Sequence, residues 1–103
     1  MPLTMIDGYE VMYSDNQFPP RVWLKSGAGY IGQLIFRPDG ATLPPDSGTG
    51  TNVNLYYHLQ DLQNVLDLLR NEKPMYLLFN GPGNENGIKT TREPVGEEEA
   101  RPA

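Results

Sequence analysis

Arg21-Val22-Trp23-Leu24-Lys25-Ser26-Gly27-Ala28-Gly29-Tyr30-Ile31-Gly32-Gln33-Leu34-Ile35-Phe36-Arg37 is the stretch that decides the fold. Both of its arms are rich in Trp, Val, Ile, Phe and Tyr, the residues that suit a pleated, half-buried surface. Gly27-Ala28-Gly29 separates them, and two such runs joined by a short Gly-bearing loop predict a β-hairpin. Side chains alternate across a strand, so each arm divides into two sides. In the first arm, Val22 and Leu24 share one side while Arg21, Trp23 and Lys25 share the other. In the second, Tyr30, Leu34 and Phe36 oppose Ile31, Gln33 and Ile35. Large apolar groups therefore fall on both sides. Gly32 weakens its strand locally or marks a bulge or a close approach.

Toward the N-terminus, Asp15-Asn16-Gln17 and Phe18-Pro19-Pro20 read as a turn and an extended segment. Before them, Tyr9, Val11 and Tyr13 alternate with Glu10 and Met12, which predicts a strand over residues 8–14. Residues 1–8 lack periodicity and are expected to fray. Toward the C-terminus, residues 38–52 form a long Pro- and Gly-rich loop, a length that marks either function or disorder. Val53, Leu55 and Tyr57 then alternate as a short strand.

Leu59, Leu62, Val65, Leu66 and Leu69 form one apolar stripe at helical spacing. Pro74 stops that helix, but residue 58 is not one of the usual Ser, Thr, Asp or Asn caps. Residues 75–80 are almost continuously apolar, as in a well-buried strand. A turn at residues 80–86 leads to a weaker strand over residues 87–92.

The expected architecture is α+β: a mostly antiparallel sheet of five to six strands in the order β-β-β-β-α-β-β, with one amphipathic helix packed on one face. Residues 9–92 make a single domain, between a flexible N-terminus at 1–8 and a disordered acidic tail at 93–103.

One helix of about 14 residues is about 21 Å long and covers one sheet face. The second face would then present large apolar groups to water, and a contiguous patch of that kind marks an interface. The residues expected to form that binding surface are Trp23, Tyr30, Leu34, Phe36 and Tyr76, flanked by Arg21, Lys25 and Arg37. Coverage by the long loop and the N-terminal segment, or use as a ligand groove, are the competing readings.

Composition narrows the chemistry. The chain has 103 residues, no Cys, one His and a net charge of -5. Without Cys there is no thiolate nucleophile, disulfide or thiolate metal site. One imidazole excludes a multi-His cage. His58 with Asp61, three positions on, is the acid–base pair that the spacing allows, yet no nucleophile motif accompanies it. Ser47-Gly48-Thr49-Gly50-Thr51 lacks the Gly-Lys-Ser/Thr of a phosphate loop. Asp39 and Asp46 do not have EF-hand spacing. Glu97-Glu98-Glu99 is a charge run of a solvated terminus.

The expected function is therefore a small non-catalytic interaction domain without metal or cofactor. It would form a homodimer or bind a protein partner through its aromatic sheet face. No apolar run reaches membrane-spanning length, and no secretory signal pattern is present, so a cytoplasmic location is expected. The alternative is a single-stranded nucleic-acid binder that stacks bases on the same aromatics beside Arg21, Lys25 and Arg37. Net acidity disfavours it. Residues 93–103, however, hold four of the acids and one base, which leaves nine acids against seven bases elsewhere. A small-molecule enzyme using His58 is the third reading.

Gly29-Tyr30-Ile31-Gly32-Gln33-Leu34-Ile35-Phe36-Arg37-Pro38-Asp39-Gly40 and Thr91-Arg92-Glu93-Pro94-Val95-Gly96-Glu97 resemble a signature of small uncharacterised bacterial single-domain proteins. The resemblance covers roughly residues 20–97 and implies a bacterial origin but no activity. In architecture, strands followed by one helix are similar to the positive-cofactor-four and Whirly single-strand binders. The two strands expected after the helix, and the acidity of the chain, depart from those families.

Overall fold

The computed structural model describes residues 3–14, 18–27, 29–49 and 52–92. The expected tail at 93–103 and the turn at Asp15-Asn16-Gln17 lie outside them. Among the described residues, eight strands and one α-helix follow in order: β1 (Leu3–Ile6), β2 (Gly8–Met12), β3 (Arg21–Ser26), β4 (Gly29–Arg37), β5 (Ser47–Thr49), β6 (Asn52–His58), α1 (Leu62–Asn71), β7 (Met75–Leu78) and β8 (Gly87–Thr90). A single 3-10 turn, Leu59–Asp61, joins β6 to α1.

The α+β class stands, but the strands divide into two sheets rather than one. A five-stranded sheet has the order β2-β3-β4-β6-β5 and a three-stranded sheet the order β1-β7-β8. Residues 3–6, expected to fray, form β1 and pair antiparallel with β7 some 70 residues later in the chain. That partner compensates for the weak local pattern. β5 is a second strand not anticipated, inside the long loop, and it pairs antiparallel with β6.

All pairs are antiparallel except β4 with β6. A parallel neighbour needs a crossover of a dozen or more residues. The stretch from Pro38 to the start of β6 supplies it, and side chains hold it in place. Pro38 O accepts from Ala41 N at 3.0 Å, closing a turn in which Gly40 takes φ 84°. Asp39 Oδ1 accepts from Gln60 N at 2.7 Å, and Asp46 Oδ1 from Tyr56 N at 3.1 Å. The bond from Asp39 answers the missing helix cap: a carboxylate from 21 residues upstream satisfies a backbone donor of the turn that opens the helix.

One buried cluster joins the two sheets and the helix. It contains Val22, Leu24, Ile31, Leu34, Phe36, Val53 and Leu55 from the large sheet, Ile6, Met75 and Leu77 from the small one, and Val65 and Leu66 from α1. Leu59, Leu62 and Leu69 of the predicted stripe pack against it. The helix and the small sheet therefore share one side of the large sheet.

Candidate functional site

Register identifies which residues share the other side. β2–β3 places Glu10 opposite Trp23 and Met12 opposite Arg21. β3–β4 places Arg21 opposite Ile35 and Trp23 opposite Gln33. β4–β6 then places Gln33 beside Asn54, Ile35 beside Tyr56 and Arg37 beside His58. The outward face of the large sheet thus carries Arg21, Lys25, Arg37 and His58 with Trp23, Tyr56, Ile35, Gln33 and Asn54. Arg21, Trp23, Lys25, Gln33, Ile35, Arg37, Asn54, Tyr56 and His58 are all half-buried, as expected of a sheet face over which the described residues build no second layer.

Four of the expected surface residues are on this face: Arg21, Trp23, Lys25 and Arg37. Tyr30 joins them through a bulge. The register of β3 against β4 shifts at Leu24/Lys25, so Leu24 faces Gly32 while Lys25 faces Tyr30. Ile31, the extra residue, turns into the core. Leu34 and Phe36 are corrections. Each is 0 % exposed, at the centre of the core, because Leu34 pairs with Val22 and Leu55 on the covered side. Tyr76 is a third correction. It lies on the small sheet, between Met5 and Lys89, and cannot share a surface with Trp23 on the other sheet.

A hydrogen-bonded row crosses four strands of the outward face. Trp23 Nε1 donates to Gln33 Oε1 at 3.2 Å, Gln33 Nε2 to Asn54 Oδ1 at 2.9 Å, and Asn54 Nδ2 to Ser47 Oγ at 3.4 Å. Indole N–H is a donor only, so the tryptophan sets the direction of both amides. Sequence reading missed Gln33, Asn54 and Ser47. The signal was available in the cross-strand register, which no single strand reveals.

Charge on this face is predominantly positive. The one acid at an outward position of these strands is Glu10, which Lys25 Nζ pairs at 3.3 Å. Arg21 Cζ lies 5.5 Å from the Trp23 ring centroid, over its face. Its Nε is buried and, among the described residues, has no hydrogen-bond partner. A guanidinium laid on an indole keeps its outer N–H groups free for an anion while the ring supplies a cation–π contact.

His58 is not arranged as a base. Its Nε2 meets Ala41 O at 2.8 Å, tying the long loop to the end of β6. No hydrogen bond or ion pair joins it to Asp61, which sits in the 3-10 turn. Tyr57 points to the covered side, stacked on Phe36 with ring centroids 5.6 Å apart. Burial, then Asp46, then Asp61 push its hydroxyl up to about 12. That holds it neutral at ordinary pH, as a packing group. Among the described residues no three His, Asp or Glu side chains gather as metal ligands, and no helix is long and apolar enough to cross a membrane.

Comparison of the chain with protein-family models, curated proteins and solved structures gives no match. Function is therefore argued from the site itself.

Proposed function

We propose that this protein is a non-catalytic domain that binds single-stranded nucleic acid across the outward face of its five-stranded sheet. The observation that carries this reading is the coincidence of Arg21, Lys25 and Arg37 with Trp23, Tyr30 and Tyr56 on one uncovered face of an otherwise acidic chain. Bases stack on aromatic rings whatever their identity, and the cations track the phosphates. Glu10 already has a cationic partner. The Arg21 guanidinium lies over the Trp23 ring, and among the described residues its Nε has no hydrogen-bond partner. The net charge of -5 is a property of the whole chain, whereas strand binding depends on the local field. A cytoplasmic location and a bacterial origin accompany this proposal.

The dimer reading that rests on a wholly apolar face loses its two strongest members, because Leu34 and Phe36 are in the core. The enzyme reading loses support as well, because His58 is committed to a backbone carbonyl.

Trp23 is the sole tryptophan, so its emission reports on the proposed surface directly. A labelled oligonucleotide at low salt should gain anisotropy as Trp23 is quenched. The logarithm of affinity should fall with that of salt, with a slope of about -2 to -3, at roughly 0.7 per phosphate contact for three or four contacts. Unchanged anisotropy and emission with about 100 µM protein, where even weak complexes are substantially populated, would remove the proposal.

A further inference from the structure

Among the described residues the two sheets have four edges, and two of them, β5 and β8, are guarded. β5 is only three residues long. β8 carries the exposed Lys89, and Lys on an edge discourages pairing. β1 is an edge of four residues whose open apolar side chains are Leu3 and Met5. β2 has none of these devices. It runs five residues without Pro, Lys or bulge, and its one ionised side chain, Glu10, is already paired with Lys25. Its apolar side chains are open: Val11 is 43 % exposed, Met12 40 % and the adjoining Tyr13 68 %.

From this edge we infer that the protein forms a two-fold dimer in which β2 pairs antiparallel with β2 of a second copy. A second copy suits this edge better than a foreign strand on three grounds. Self-pairing about residues 10–12 sets Glu10 opposite an apolar residue, so no like charges meet. Exposed Val11, Met12 and Tyr13 of both copies add apolar contact beside the edge-to-edge ladder. The antiparallel two-fold also closes the assembly, since both copies use the same edge.

The two-fold axis of such a pair stands perpendicular to the sheet. Both outward faces then lie on the same side of one ten-stranded sheet. Arg21 and Trp23 of the two copies stand three strand spacings apart, about 14 Å at ~4.8 Å per strand. The dimer would present one platform twice as wide as a single chain's. The pairing itself rests on the β2 edge and not on nucleic-acid binding.

Sedimentation and light scattering at about 100 µM, well above a micromolar dissociation constant, should give twice the mass of one chain. Val11→Lys should give one chain's mass with an unchanged circular dichroism spectrum. A monomeric wild type would overturn the inference, and so would a folded Val11→Lys that stays dimeric. The absence of Cys allows a second measurement if that variant fails to fold. Single replacements Glu10→Cys, Val11→Cys and Met12→Cys should yield a covalent dimer on mild oxidation in at least one case, whereas Ser47→Cys on the β5 edge should not. Failure of all three, or equal cross-linking at Ser47, would overturn it. Oligonucleotide binding by a monomeric wild type would separate failure of this inference from failure of the proposed function.

Discussion

The two sides of the five-stranded sheet are built from the same strands, yet they follow different rules. On the covered side, Val22, Leu24, Leu34, Phe36, Val53 and Leu55 are all at most 2 % exposed. Among the described residues no polar or charged side chain is fully buried with them. On the outward side, an arginine lies on an indole, two amides link four strands, and half-exposed aromatics stand between cations. Burial of apolar area contributes the cohesion of the first side. The second contributes little cohesion and holds nearly all the groups able to recognise a charged partner. Stability and recognition are thus separated by one residue of alternation.

That separation can be tested by substitution. The largest effect belongs to the covered side. Phe36→Ala should destabilise the fold by about 3–5 kcal/mol, read as a shift of the urea midpoint, because it leaves a cavity at a fully buried aromatic site. A shift below about 1 kcal/mol would mean that the core is not centred on β4.

The next effect is a pH dependence at the boundary of that core. The Tyr57 hydroxyl is raised to about 12 in the fold, against about 10 in an unfolded chain. Its neutral form is the one the fold favours, so its contribution is complete below pH 10 and is lost as pH rises from 10 toward 12. The loss should approach about 2–3 kcal/mol at about 1.4 kcal/mol per pH unit. Comparing wild type with Tyr57→Phe at pH 9 and pH 11.5 isolates it from the titration of lysines. Parallel pH profiles for the two proteins would contradict the assignment.

Smaller effects belong to the outward side. Gln33→Ala removes the acceptor of Trp23 Nε1 and the donor to Asn54, and should cost about 0.5–1.5 kcal/mol. It should also shift the emission of Trp23, which a purely structural loss elsewhere would leave alone.

Arg37→Ala is the sharpest contrast. Chemical denaturation should change by less than about 0.5 kcal/mol, as for a surface site with no hydrogen bond or ion pair among the described residues. The salt slope for oligonucleotide binding should flatten by about 0.7, one phosphate contact fewer. If Arg37→Ala unfolds the protein, or Phe36→Ala spares the fold while weakening binding, the division between the two sides fails.

How much was readable varies by element. The hairpin of β3 and β4, the helical stripe and the strand after it follow from short-range periodicity, and the structure places them within a few residues of expectation. Five of the eight residues expected on the binding surface lie together on the outward face. Alternation correctly grouped Arg21, Trp23 and Lys25, but it could not say which side of β4 lay beneath them. Tyr30, Leu34 and Phe36 have the same parity in the sequence, and the bulge at Ile31 puts Tyr30 outside and the other two inside. Gly32 gave the hint. A Cβ there would come within 2.8 Å of Val53 O, so the strand must be bare where β6 approaches.

The sequence by itself determined which residues extend, which coil into a helix and which chemistries are absent, because each depends on neighbours along the chain or on simple counts. Tertiary structure alone decided that β1 and β7 form a second sheet, that Asp39 serves a turn 21 residues away, and that an arginine and a tryptophan share an uncovered face with two amides. Those outcomes depend on register between distant strands. Register is set by the burial of whole faces against each other, a quantity that no local pattern contains.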